Sequence, residues 1–253
     1  MNNFFENKLT YNQTSFCHTN KATVEEREIH SYYEILFYMD TETSFFTESF
    51  SKKIKKHTLV IIPKEKYHYL DNKKFNSFER LKISISSISE FENIFMNFED
   101  ICVIDKIDET IQFALDKICT GLINKEKYGI YGAFLILLNE ISKVVSHGFQ
   151  MKKNNSEFVT ECVDVINNYL TEDISIEFIS KKLNVSKSTI THSFKKEMGI
   201  SILKYIQQKR MIYAKKLIDA GNKPTKIYFD CGYTEYSAFY KAYCKMFGCP
   251  PSK

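Results

Sequence analysis

FDCGYTEYSAFYKAYCKMFG, residues 229–248, is too aromatic and too regularly patterned to be a terminal tail. Cys231-Gly232-Tyr233 reads as a turn, with glycine supplying a positive φ without steric penalty. Thr234 follows in the position of a helix N-cap. Phe239, Tyr243, Met246 and Phe247 then recur at helical spacing and predict one buried face. Ser237, Lys241 and Lys245, four apart, form an outward stripe with Tyr236 beside it. Upstream, Pro224, Ile227 and Phe229 predict a short helix whose first position tolerates proline. A short helix, a turn and a second helix with a polar outer face describe a helix-turn-helix unit.

The same plan occurs earlier, in SIEFISKKLNVSKSTITHSFKKEMG, residues 175–199. Ser175 can cap a helix that buries Ile176, Ile179 and Leu183. Asn184 tolerates the left-handed turn conformation, Val185 fills the corner, and Ser186 can cap the next helix. On that helix Ile190, Phe194 and Met198 share one face. Ser188, Thr191, His192 and Lys195 fall opposite, with Lys187 and Lys196 beside them. Residues 202–220 join the two units as one helix, roughly 28 Å long at about 1.5 Å per residue, close to one duplex turn of about 34 Å. The period predicts helices over 157–171, 175–183, 187–198, 201–220, 224–230 and 235–247. Aromatic residues on the inner faces are core, and lysines stand on the outer ones.

Before residue 150 the pattern differs. IHSYYEILFYM, SFFTESF, KKHTLVIIP, KYHYL and SFERLKISIS, between residues 29 and 88, read as short strands of a small barrel or sandwich. From about residue 89 the period becomes helical. Ile111, Leu115, Ile118 and Leu122 form one stripe, and Phe134, Leu137, Leu138, Ile141 and Val145 another, with a turn at Asn124–Lys127. These two helices read as cover for the strands or as a dimer seam. Gly148–Ser156, GFQMKKNNS, is the candidate linker.

Charge follows this division. Residues 1–150 hold 18 Lys and Arg against 21 Asp and Glu, whereas residues 151–253 hold 17 against 10. A basic C-terminal third suggests an anionic partner, though plain solvation explains the charge equally well. The seven cysteines include no CxxC pair and fit free thiols in a reducing compartment. No phosphate-binding glycine loop, HExxH, GxSxG or EF-hand loop is present. No signal peptide and no run of eighteen apolar residues is found, so the expectation is a cytoplasmic, nucleoid-associated protein without membrane contact.

On NVSKSTITHSFKKEMGIS, on the IQQKRMIYAKKLI helix with Arg210 and Ala214, and on IYFDCGYTEYSAFYKAYCKMFGCPPSK, the sequence resembles the AraC/XylS family of bacterial transcription regulators. HSYYEILFYM and LVIIPKEKYHYL are similar to strands of that family's cupin-like sensing barrel. The resemblance implies an α+β chain of two domains: a cupin-like barrel over 1–105, a helical dimerisation region over 106–149, and an all-α DNA-binding domain over 157–253. Its helix-turn-helix units fall at about 175–198 and 224–247. It implies base contacts from Ser188, Thr191 and His192 in the first unit and from Tyr236, Ser237 and Lys241 in the second, with Lys187, Lys195, Lys196 and Lys245 on phosphates. It also implies a homodimer, promoter DNA and RNA polymerase as partners, and more often activation than repression. Ser180 and Tyr228 depart from the alanine that the family prefers in each short helix.

For the barrel, His30, Tyr32 and Glu34 alternate onto one strand face, and His68 lies on a later strand. They are the candidate ligand-pocket residues. A cupin metal site needs a His-x-His pair, a following Glu and a later His; Tyr32 stands where the second His belongs, so no metal, cofactor or catalytic residue is expected. The family's effectors include sugars, held by aromatic stacking, and long-chain fatty acids, held by lysine. The run Lys52, Lys53, Lys55, Lys56 suits the latter or a solvated face. The expected function is a sequence-specific transcription regulator modulated by a small molecule or by dimerisation through the barrel. The alternatives are a ligand-independent regulator controlled by a protein partner and a metal-dependent cupin enzyme.

Overall fold

The structure, a computed structural model, describes residues 5–21, 27–40, 42–71, 77–86, 91–95, 98, 100–146 and 155–251. Most of the expected linker, 148–154 of Gly148–Ser156, lies outside the described residues. The chain divides into two compact units, residues 1–26 with 32–153 and residues 27–31 with 154–253. The fold is α+β, with antiparallel sheets in the first unit and helices in the second.

The strands are β1 (Glu6–Tyr11), β2 (Thr14–Lys21), β3 (Arg27–Glu28), β4 (Tyr33–Tyr38), β5 (Thr43–Thr47), β6 (Ser51–Ile54), β7 (Thr58–Ile62), β8 (His68–Asp71), β9 (Ser77–Ile85) and β10 (Cys102–Ile104). With them run α1 (Glu92–Phe95), α2 (Glu109–Asn124) and α3 (Lys127–Ser146). One sheet has the order β1-β2-β9-β4-β7-β10, and another carries β8-β5-β6.

Strands β4 and β7 are mostly apolar because both of their faces are buried, with Glu34 the charged exception in β4. Ile35, Phe37, Leu59 and Ile61 join Phe16, Leu81 and Ile83 in a core with Leu115, Ile118, Phe134 and Leu137 of the helices. The alternate residues Leu36, Tyr38, Val60 and Ile62 pack with Phe45, Ile54 and Leu70 of the second sheet. Period-2 alternation thus divides one strand between two cores.

Ile111, Leu115, Ile118 and Leu122 of the first stripe and Phe134, Leu137, Leu138 and Ile141 of the second are the buried faces of α2 and α3. Asp108 caps α2 by accepting the Ile111 amide at 2.8 Å. The two helices approach so closely that a Cβ at Gly121 would lie 2.7 Å from Ile130 Cγ1. Expected as a dimerisation region, they share the core of the six-stranded sheet, while Phe113, Ile123 and Leu135 remain 52%, 59% and 45% exposed.

The β1–β2 hairpin precedes the strands read from sequence. It turns at Asn12 and Gln13, with φ of 44° and 58°, in register Tyr11↔Thr14. Two central residues at positive φ make a two-residue turn matching the strand twist. β6 and β10 also went unread.

The second unit holds α4 (Glu157–Asn168), α5 (Ile176–Leu183), α6 (Lys187–Met198), α7 (Ile202–Asp219), α8 (Pro224–Ile227) and α9 (Tyr236–Phe247). The caps at Ser175 and Ser186 form as expected, each accepting an amide at 3.1 Å, from Phe178 and Thr189. Asn184 takes φ 52° and Gly232 φ 74°. Ile179, Ile190, Phe194, Met198 and Tyr205 are buried in the first half of this unit. Met211, Ala214, Ile218, Ile227, Phe239 and Tyr243 form the core of the second half. Helix α7 therefore contributes to both.

Two local expectations fail. Helix α8 ends at Ile227, and Phe229 is 68% exposed rather than part of it. Thr234 does not cap α9: Glu235 is the N-cap, without a side-chain cap bond, because the first helical bond runs from the Phe239 amide to the Glu235 carbonyl at 3.2 Å. That start leaves Thr234 one residue outside the capping position.

Candidate nucleic-acid interface

Helix α6 is fixed from its buried side. Ile190, Phe194 and Met198 are 0% exposed, and the Phe194 ring meets Tyr205 of α7 edge-on at 5.4 Å. Its approach from α5 is closed by Ser180, whose hydroxyl donates to the Val185 carbonyl at 2.5 Å. Serine at this family-alanine position therefore adds a bond across the turn. Opposite the core, Ser188, Thr191, His192, Lys195 and Lys196 are all exposed, as expected.

Thr191 and the neighbouring Lys187 have partners already. The Thr191 hydroxyl donates to the Lys187 carbonyl at 2.7 Å, so toward an outside group its oxygen acts as acceptor. Lys187 pairs with Glu177 of α5. Both side chains are more than half exposed, so the pair holds Lys187 weakly.

On α9 the buried side is Phe239, Ala242 and Tyr243. Ser237, Lys241 and Lys245 are exposed. Tyr236 is half-buried, its ring 5.9 Å from those of both Tyr228 and Phe239. Tyr228, in place of the family's alanine, thus supplies an aromatic wall for Tyr236. Two groups were not anticipated. Tyr240, 40% exposed, stands next to Lys241. Lys204 of α7 shares with Lys245 a groove of about 200 Å³ floored by Met211, Ala242 and Met246. At helical spacing Lys204 falls among residues that sequence reasoning had counted as connecting rod.

In the first unit, Glu34 of β4 and His68 of β8 come together. Both are buried, with Glu34 Oε2 3.4 Å from His68 Nε2. Glu34 Oε1 lies 2.7 Å from Lys82 Nζ of β9. The His68 ring stacks on Phe45 at 6.0 Å and 22°. His30, counted with the second unit, is buried and Tyr32 is half-buried, but both precede β4, which begins at Tyr33, so they do not alternate with Glu34 along one strand as expected. Lys82 was missed, yet β9 carried the signal: Leu81, Ile83 and Ile85 take the helix-side core, so Lys82 must face the other way. Of the lysine run, Lys52 pairs with Asp105 at 2.5 Å, and Lys53, Lys55 and Lys56 are solvent-exposed. All seven cysteines are free thiols. Among the described residues no helix is long and apolar enough to cross a membrane.

Residues 179–253 match a protein-family model described as a helix-turn-helix domain. An 88-residue stretch is 38% identical to YdiP of Escherichia coli K12, described as an uncharacterized HTH-type transcriptional regulator, and covers 34% of this chain and 29% of that one. Over 125 residues the chain is 28% identical to the Msm operon regulatory protein of Streptococcus mutans, covering 49% and 44% of the two. The chain thus spans less than half the length of these curated relatives. Among solved structures, fatty-acid-bound ToxT of Vibrio cholerae is similar with a TM-score of 0.43 and 13% identity, over 100% of this chain and 96% of that one. The C-terminal domain of AraT, a response regulator of Geobacillus stearothermophilus, gives 0.38 and 26%, over 39% and 84%. The C-terminal domain of this chain is an AraC-type helix-turn-helix domain.

Proposed function

We propose that the chain is a sequence-specific DNA-binding transcription regulator, an activator that works in the cytoplasm as a homodimer. The observation that carries this reading is the doubled helix with a buried apolar face and an exposed polar and basic one. Helices α6 and α9 enter the major groove. Ser188, Thr191, His192, Tyr236, Ser237 and Lys241 meet base edges, and Lys187, Lys195, Lys196 and Lys245 meet phosphates. Helix α7, 18 residues or roughly 27 Å long, spaces them by about one duplex turn.

The division into a sensing domain over 1–105, a dimerising pair of helices over 106–149 and a DNA-binding domain over 157–253 belongs to the same reading. Exposed Phe113, Ile123, Leu135 and Ile136 on α2 and α3 supply the apolar seam. In the sheet unit, Glu34, His68 and Lys82 set charge and hydrogen-bonding capacity beside an apolar cluster, which suits a small effector carrying hydroxyl or carboxylate groups. Effector binding changes the dimer geometry, and RNA polymerase is recruited at the bound promoter.

The test is capture of genomic fragments by the purified protein at two salt concentrations. A recurrent motif of two short blocks about one turn apart supports the reading. Salt-sensitive capture without any motif refutes sequence-specific regulation and leaves a basic helical domain.

A further inference from the structure

Arg210 lies midway along α7, between the two helix-turn-helix units, and its side chain donates to three backbone carbonyls. Its Nε donates to the Leu170 carbonyl at 2.9 Å, and its Nη2 to the Glu172 carbonyl at 2.6 Å. Its Nη1 donates to the Gly232 carbonyl at 2.9 Å. The first two acceptors belong to the turn that leads into α5. The third belongs to the turn between α8 and α9. One planar cation therefore joins the entry to the first unit, the connecting helix and the turn of the second.

Glycine is needed at the far end of this contact for two reasons. Gly232 adopts φ +74°, and a Cβ there would lie 2.5 Å from Arg210 Cζ. Burial pulls the guanidinium pKa below its usual value, while nearby Tyr233 and Asp173 oppose that shift. A lysine could reach only part of this constellation, because an ammonium is a point donor whereas the guanidinium fork is planar with donors in fixed directions. A helix joined to two small bundles only through apolar packing can rock against each. Three charge-assisted bonds from one rigid group to two turns remove that freedom.

We propose that Arg210 is a positioning residue that sets the spacing between the two DNA blocks the protein reads, acting by locking both helix-turn-helix units to α7. This rests on the DNA-binding reading above. A rigid tether engages two sites together only when their separation matches, so spacing selectivity is the property it confers. Adding two base pairs between the blocks turns the second by about a fifth of a turn.

The experiment measures affinity of the full chain for duplexes carrying both blocks at the native spacing, at plus or minus two base pairs, and for each block alone. The wild type prefers the native spacing by at least about tenfold. Arg210→Lys and Arg210→Ala keep single-block affinity and bind all spacings within about threefold. Variants that keep the wild-type preference overturn the assignment. So does a wild type indifferent to spacing on a genuine two-block site. A wild type with no two-block site removes the DNA-binding reading itself, a failure seen before any variant is made. Should neither variant fold, the Arg210 Nε proton in the wild type decides: slow exchange with water supports the clamp, and exchange as fast as that of an exposed arginine overturns it.

Discussion

Gly232→Ala tests the packing of the second helix-turn-helix turn against two controls in the same chain. Gly221 and Gly248 also have positive φ, +92° and +69°, but a Cβ at either meets nothing within 4 Å. Alanine there costs about 1–2 kcal/mol for left-handed backbone. At Gly232 the same backbone cost applies, and the new methyl would sit 2.5–2.7 Å from three guanidinium atoms of Arg210. The guanidinium must shift, and losing one charge-assisted bond to a carbonyl adds about 1.5–3 kcal/mol. The sum is about 4 kcal/mol, a large share of the roughly 5–15 kcal/mol that stabilises a domain. The unfolded-chain effect of Gly→Ala is common to all three positions and drops out of the comparison. Urea and thermal unfolding, followed by circular dichroism at about 222 nm, should place Gly232→Ala roughly 20 °C below wild type, against roughly 5–10 °C for Gly221→Ala and Gly248→Ala. A Gly232→Ala midpoint within about 0.5 kcal/mol of the controls would refute the Arg210–Gly232 geometry.

Three further outcomes follow from the structure. Lys195→Ala and Lys245→Ala should each lower the salt dependence of DNA affinity by about one phosphate equivalent, and Lys187→Ala by less, since Glu177 already shares its charge; equal slopes in all three would contradict the assignment. Glu34→Ala should destabilise the sheet unit by about 3 kcal/mol by removing the buried carboxylate that faces Lys82, with Glu34→Ala/Lys82→Met recovering part of the loss in chemical denaturation; no recovery would mean that the pair is not coupled. Burial pushes the thiols of Cys102, Cys119, Cys162 and Cys231 up to about 12. Iodoacetamide near neutral pH should therefore label exposed Cys249 well before these four, as mass spectrometry would read. These thiols ionise near 9 once unfolded, so they make the unfolded state bind fewer protons, and stability should fall as the pH climbs from about 9 toward 12.

Much of the second unit was legible because it is built from signals that sequence carries. Serine caps, a left-handed Asn184, the Gly232 turn and apolar residues at helical spacing placed α6 from Lys187 to Met198 and α9 to within one residue of its start. Thr234 misled because it satisfies a capping preference that Glu235, one residue later, overrides by backbone position alone. In the first unit β4 and β7 stood out as apolar runs. The β1 strand did not, since its alternating half-exposed pattern, Glu6–Tyr11, leaves little apolar contrast. Lys82 was readable only once its strand neighbours were assigned to a face. Arg210 was visible as a residue of the connecting helix, but its role was not: its three acceptors are backbone carbonyls, which every residue has.

The central claim is that α6 and α9 read two blocks from one face of the duplex. Hydroxyl-radical footprinting of a captured site tests it most directly. The account predicts two protected patches offset by about 10 base pairs, with the distal patch lost selectively in Lys241→Ala and the proximal one in His192→Ala. A single patch, or two patches that weaken together in both variants, would contradict it.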